Sequence, residues 1–239
     1  MLSPTDFFDL SATAHTALFD DTTYVWDAIS RIKPYVRSLL TTTHQPNSDS
    51  INVHPSTVIE GDVYIGKNVT IAPGVYIQGP TVIEDNVEIR QGAFIRGDVL
   101  LAKGSLVGHA TEAKQTILLE NAHAPHFSYL GESILGRNSN LGAGTKLSNL
   151  PVNSVKDETT GKRPTIKLNI GGETYDTGLA KFGAILGDDA QTGCNCVTNP
   201  GCIIGARTLV YPLTSLSKGY YPADSIVKLR QTLEIVERR

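Results

Sequence analysis

VYIGKNVTIAPGVYIQGPTVIEDNVEIRQGAFI, residues 63–95, carries an aliphatic residue at every sixth position: Ile65, Ile71, Ile77, Ile83, Ile89 and Ile95. The register extends back to Ile59 and Val53 and forward to Leu101, Val107, Ala113 and Leu119. An α-helix turns about 100° per residue, so a six-residue step would scatter these side chains over every face. A hairpin sheet would show period two, with turns wherever they fell. A fixed six-residue period marks a parallel β-helix, in which each hexad supplies one short strand and one corner. Three hexads close a triangular coil of about 18 residues, and the aliphatic residue points inward onto its equivalents in neighbouring coils.

After Leu119 the beat stumbles at Pro125, and Leu130 and Leu135 follow at five-residue steps. It resumes at Leu141 and Leu147, and again at Leu186, Thr192, Thr198, Ile204, Val210 and Leu216. The residue two before the register is small or β-branched (Val69, Val75, Val87, Ala93, Val99, Cys196, Cys202), which suits a tight inner corner. The expected class is therefore all-β, a solenoid of hexapeptide repeats with short helical N- and C-terminal caps, because open coils expose strand edges and apolar core.

The expected organisation has a helical cap and linker over 1–50, a parallel β-helix over 51–149, and an insertion over 150–180. The β-helix continues over 181–218, and a C-terminal helix follows over 219–239. In the first segment Thr22 or Thr23 caps a helix running to about Leu40, with Val25, Ile29, Ile32, Val36 and Leu39 at helical spacing; Pro34 kinks it or starts a second helix. THQPNSDS (43–50) reads as a linker. TIKLNIGGETYDT (165–177) reads as a hairpin turning at Gly171-Gly172. In the last segment Asp224 is the N-cap, with Ile226, Leu229, Leu233 and Val236 in one stripe.

The 239 residues carry 21 Lys and Arg against 24 Asp and Glu, a net charge of −3, which gives no broad electrostatic case for nucleic acid or a membrane surface. No basic, apolar leader opens the chain and no run approaches a membrane span, so the expectation is a cytoplasmic protein. Three cysteines, an odd number, argue against a disulfide framework. Cys196 and Cys202 fall at inner positions as small hydrophobes, whereas Cys194 has a different phase. Arg96 and Lys114 lie 18 residues apart, each just after a register residue, so the repeat stacks them on one outer face as a pair suited to a phosphate.

The segment PHFSYLGESILGRNSNLGAGTKLSN (125–149) resembles the GHLTYLGDAxIGxxxNIGAGTxxxN block of a known family. That family is the acetyltransferase domain of the bifunctional glucosamine-1-phosphate N-acetyltransferase/N-acetylglucosamine-1-phosphate uridylyltransferases. IRGDVLLAKGSLVGHATEAKQ (95–115) and AKFGAILGDDAQTGCN (180–195) are similar to two further blocks of that domain. The resemblance implies a left-handed parallel β-helix, a homotrimer with sites between subunits, and an acetyl-CoA-dependent N-acetyltransferase acting on glucosamine-1-phosphate or a similar amino-sugar phosphate.

By the same resemblance His126 is the catalytic base, which suits an imidazole taking a proton from a sugar amine. Glu112 orients or charge-stabilises it. Arg96, Lys114, Tyr129, Asn140 and Lys181 bind the sugar phosphate. Ala143, Asn149 and Cys194 line the acetyl-CoA side, where backbone N–H groups face the thioester oxygen. The histidines His109, His123 and His126 raise a rival, the three-His zinc site of the γ-class carbonic anhydrases. They fall at different phases of the repeat, so no metal site is expected.

The chain departs from the family in four places. It has no L-A-G-G-x-G-T-R loop, and 50 residues cannot hold a nucleotide-binding domain, so a uridylyl step would need a separate partner. Asp98 follows Arg96-Gly97 in place of the family's R-P-G. A long insertion separates Asn149 from Lys181, and Cys194 replaces the family's Ser. Two alternatives accompany the leading reading: acylation of another amino sugar or a nucleotide-sugar, or a non-catalytic sugar-phosphate-binding scaffold.

Overall fold

The computed structural model describes residues 2–43, 51–231 and 237. Short strands wind into a parallel solenoid with three faces. The first face runs from Asn52–Val53 through Leu106–His109, His123–His126 and Asn140–Leu141 to Ile226–Val227. The second includes Phe94–Arg96 and Lys146–Leu147, and the third includes Val99–Leu101 and Ala184–Leu186. Two long strands, Glu112–Leu118 and Tyr129–Leu135, pass through the corner between the second and third faces and join them in one sheet. The interior is a ladder of like side chains: Ile71, Ile77, Ile83, Ile89, Ile95, Leu101, Val107 and Ala113 are all buried. Cys196 and Cys202 are buried with them, and Cys194 is exposed.

The register departs from the sequence reading at one step. The inward residues after Ala113 are Leu118 and Ala124, not Leu119 and Pro125; Leu130 and Leu135 then follow as expected. Leu119 is buried outside the solenoid interior, in the cluster formed with the N-terminal segment. The physical reason is a corner one residue shorter than its counterparts, turned by Gln115 (φ 46°) and Glu132 (φ 43°). The coil there holds 17 residues instead of 18, and Leu106, His123 and Asn140 are successive register partners only on that count.

The third face has a second apolar ladder on its outside. Tyr64, Val82, Leu100, Ile117, Ile134, Ile185, Ile203 and Tyr220 are stacked register partners. Helix α1 (Asp27–Thr42) lays Ile29, Ile32 and Val36 on this ladder, joined by Phe7, Phe8 and Trp26. Residues 2–43 therefore cover a flank of the solenoid, where the outer apolar ladder lies, rather than cap its end. Each aliphatic side chain so buried contributes about 1.5–3 kcal/mol. The helix begins after Trp26 rather than Thr22 or Thr23; the Asp27 carboxylate accepts the Thr23 and Tyr24 N–H groups at 3.0 and 2.8 Å. Pro34 lies within it, exposed, and the helix runs on to Thr42.

Residues 150–180 leave the coil. Within them Lys167–Ile170 pairs antiparallel with Glu173–Asp176. Tyr175 packs edge-on against Tyr24 and Trp26, with ring centroids 5.5 and 5.8 Å away, and so ties the insertion to the N-terminal segment. The C-terminal helix expected from residue 219 does not form in its described part. Gly219–Tyr221 and Ile226–Val227 are further rungs, and Asp224 turns a corner at φ 56° instead of capping a helix. Tyr220 and Tyr221 stack on Ile203 and Ile204, which rewards another coil more than a helix start. Leu233 and Val236 lie outside the described residues, as do residues 44–50 of the expected linker.

Ile95→Ala should cost about 2–5 kcal/mol in urea unfolding, as a buried aliphatic deletion. Gly108→Ala should do more damage and lose the soluble fold, because its new Cβ would sit 1.6 Å from the Pro125 carbonyl oxygen of the next coil. Gly74→Ala, at φ 70° in open space, should cost less, about 1–2 kcal/mol for the left-handed backbone alone.

Candidate active site

The corner where the first face turns into the second carries one column of residues. Each corner N–H donates to the carbonyl of the coil beside it: Ala110 to Gln91, Phe127 to His109, Gly144 to His126, Asn195 to Ala143 and Leu213 to Cys194. His109, His126, Ala143 and Cys194 therefore stand in line, one per coil. His126, Ala143 and Cys194, expected to serve base and acetyl-CoA roles, come together here. His109 joins them, because a 17-residue coil brings it level with His126. The expectation that the three histidines all diverge fails for this pair; His123 sits three residues back on the first face beside Asn140. Among the described residues no group of three or more His, Cys, Asp or Glu is placed to hold a metal ion.

His126 is exposed at the end of its strand. Directly beside it in the next coil, the Gly142-Ala143-Gly144 turn leaves the Ala143 N–H without an acceptor among the described residues, while Gly144 and Thr145 N–H are both used. Gly142 is required by the close approach of Gly193, whose carbonyl carbon lies 2.3 Å from where a Cβ would be. This corner thus sets an unpaired backbone donor in the coil next to an imidazole.

Around the corner, on the second face, the outward positions carry the charged candidates. Glu112 pairs across to Phe94 and to Tyr129. Ala113 pairs with Ile95, which sets Lys114 beside Arg96 on the outside, as the 18-residue spacing requires. The Arg96 guanidinium lies over the Phe94 ring at 5.6 Å and donates to Glu112 at 2.6 Å. The Glu112 carboxylate holds the Arg96 pKa above its ordinary value. Glu112 is therefore engaged by Arg96 rather than by His126, to which no contact is present.

Lys114 Nζ lies 3.9 Å from the carboxylate of Glu132, which is only 3% exposed. The same carboxylate accepts the Asn149 side-chain amide, and Asn149 in turn accepts the Tyr129 hydroxyl at 3.4 Å. Gly131 makes this chain possible: a Cβ there would lie 2.6 Å from the Asn149 nitrogen and 2.8 Å from the Tyr129 hydroxyl. Burial, then the Glu132 and Glu112 carboxylates, push the Tyr129 phenol pKa up, so it stays a protonated donor.

Glu132 is the residue sequence reasoning missed. Its only signal was the five-residue step between Leu130 and Leu135 that contains it, since Glu132 turns that shortened corner and is buried there beside α1 and the insertion. Lys181 is exposed and lines a cavity of about 660 Å³ together with Lys114 and Glu132. Asn140 stays on the first face, paired with His123 and Gln191, and does not meet the second-face group within one chain.

These features define a hexapeptide-repeat β-solenoid with a polar cluster on one face and a histidine at the adjoining corner. The chain belongs to the GMPPB C-terminal domain family, whose profile matches residues 77–218. The bifunctional protein GlmU of Methanococcus maripaludis strain S2 is 37% identical over 192 residues, covering 80% of this chain and 43% of that protein. The bifunctional sugar-1-phosphate nucleotidylyltransferase/acetyltransferase of Sulfurisphaera tokodaii is 32% identical over 113 residues, covering 47% and 26%. The chain thus spans less than half the length of these curated relatives, and the likeness seen in its three sequence blocks is one of homology. Among solved structures, the UDP-N-acetylglucosamine acyltransferase from Campylobacter jejuni superposes with a TM-score of 0.47 at 18% identity, covering 72% of this chain and 69% of that one. No described helix is long and apolar enough to cross a membrane.

Glu132→Ala should destabilise the chain by about 1–3 kcal/mol in urea unfolding, because it orphans the Asn149 amide and leaves Lys114 without its carboxylate. Glu132→Gln, which keeps an acceptor for Asn149, should recover most of that loss.

Proposed function

We propose that this chain is an acetyl-CoA-dependent N-acetyltransferase acting on glucosamine-1-phosphate or a similar amino-sugar phosphate. The observation that carries the reading is the corner column: His126 exposed, with the unpaired Ala143 N–H in the next coil. The cations Arg96 and Lys114 lie on the adjoining second face, and the curated relatives named above include an acetyltransferase.

In this reading Arg96, Lys114 and Lys181 attract the phosphate, and Tyr129 donates to the sugar or its phosphate. Asn149, Ala143 and Cys194 line the acetyl-CoA side. His126 takes a proton from the sugar ammonium, freeing the nitrogen lone pair. That nitrogen attacks the thioester carbon, a C–N bond forms, the C–S bond breaks, and the second proton lost by the nitrogen passes to the departing thiolate. The Ala143 N–H stabilises the oxyanion on the way, the step at which a fixed donor is worth most. No covalent enzyme intermediate is needed. In this reading the protein is a homotrimer, and Asn140, held on the other face, joins such a site from a neighbouring subunit.

One observation favours a second reading, a sugar-phosphate-binding scaffold without turnover. Arg96 and Lys114 already face the carboxylates Glu112 and Glu132, so a phosphate must displace or share them.

Acetyl-CoA and glucosamine-1-phosphate should give thiol release with the wild-type chain, and His126→Ala should lower it by about 10²–10⁴-fold, the usual contribution of a general base. Arg96→Ala and Lys114→Ala should raise KM more than they lower kcat. Thiol release by wild type no greater than by His126→Ala sinks the acetyltransferase reading for this amine, and glucosamine-1-phosphate binding that persists then supports the scaffold.

A further inference from the structure

The cavity that holds Lys114 and Lys181 has walls of three origins. Lys114 and Glu132 come from the second face and its corner, Lys33 from α1, and Lys156, Arg163 and Lys181 from the insertion and its return. Five cations thus line one space of about 660 Å³ against a single carboxylate. Glu132 serves Lys114 at 3.9 Å and Lys33 reaches Asp98 at 3.8 Å. Arg163 spends one N–H on the Ser154 carbonyl. Lys156 and Lys181 have no ion-pair partner among the described residues. The walls are held in place: Tyr175 of the insertion hairpin packs on Trp26 and Tyr24, just ahead of α1.

Clustered cations repel unless an anion joins them, and the space is of ligand size. One phosphate brings about −1.5 to −2 charges and three acceptor oxygens. Lys114 and Lys181 can satisfy it. Lys33 on α1, and Lys156 and Arg163 beside Lys181 on the insertion wall, then remain. No aromatic ring lines the cavity, so nothing in it would stack a nucleobase.

We propose that the helix α1 and insertion walls form a second phosphoryl subsite, so that the preferred substrate is a sugar carrying a diphosphate rather than a single phosphate. This rests on the sugar-phosphate reading of Lys114 and Lys181 above. Lys33, Lys156 and Arg163 are then specificity-determining residues supplied by segments outside the repeat.

The test is calorimetric binding of inorganic pyrophosphate and of inorganic phosphate to the full chain, with Lys156→Ala/Arg163→Ala as the double variant and Lys33→Gln as an independent one on another wall. All three positions are surface side chains, and circular dichroism checks the fold. Wild type should bind pyrophosphate at least tenfold more tightly than phosphate. The double variant should lose most of that preference while keeping its phosphate affinity, and Lys33→Gln should lose part of it. Equal affinity for the two anions in wild type, or a preference unchanged in both variants, overturns the proposal. Thiol release with glucosamine-1-phosphate, measured in parallel, separates the two readings. Normal turnover without a pyrophosphate preference leaves the acetyltransferase standing and removes the second subsite. A pyrophosphate preference without turnover on any amino sugar offered does the reverse.

Discussion

The inward stacking of one aliphatic side chain on its equivalent in the next coil is the constraint on which the rest of this molecule depends. Parallel rungs place like positions over like, so each interior residue meets mainly its own counterparts. Close packing at native density makes any error of phase costly. Every outward residue inherits its place from that phase. Lys114 stands beside Arg96, and Glu112 beside Tyr129, because Ala113 sits between Ile95 and Leu130.

The polar cluster arises where the constraint is relaxed by one residue. Shortening the corner at Gln115 and Glu132 keeps the interior ladder intact through Leu118 and Leu135 but changes everything outside it. His109 becomes level with His126, and Glu132 at the corner meets Lys114 and Asn149. A buried carboxylate is expensive unless its acceptors are filled, and here an ammonium group and an amide share that task. Gly131 leaves the space over which the Tyr129 hydroxyl reaches Asn149. The cluster is thus a local consequence of counting, not a graft on a finished scaffold.

Much of this was legible in the residues. The inner ladder, the phase of the cysteines and the neighbourhood of Arg96 and Lys114 follow from arithmetic on a fixed repeat. The outer apolar ladder on the third face was legible too, had the position before every third register residue been read: Val82 and Leu100 are 18 residues apart, and Ile117 and Ile134 follow at 17. What could not be read was the exact place of the dropped residue, because Leu118 and Leu119 are both apolar and either fits an interior. That one ambiguity hid the His109–His126 alignment and the place of Glu132 at the corner. The tail misled for a related reason: Ile226 and Leu229 suit a helical stripe, yet Ile226 also suits a rung, and stacking on Leu209 favours the rung.

The sequence by itself determined a parallel solenoid, its inward residues over most of the length, and which charged side chains share a face, since a repeat turns chain position directly into spatial position. Only the tertiary structure decided which flank the N-terminal segment covers and how the insertion docks on it. It alone brought Lys33, Lys156 and Arg163 to the walls of the cavity that Lys114 enters. Those placements depend on apolar contacts between segments far apart in the chain, and no local pattern encodes the distance between them.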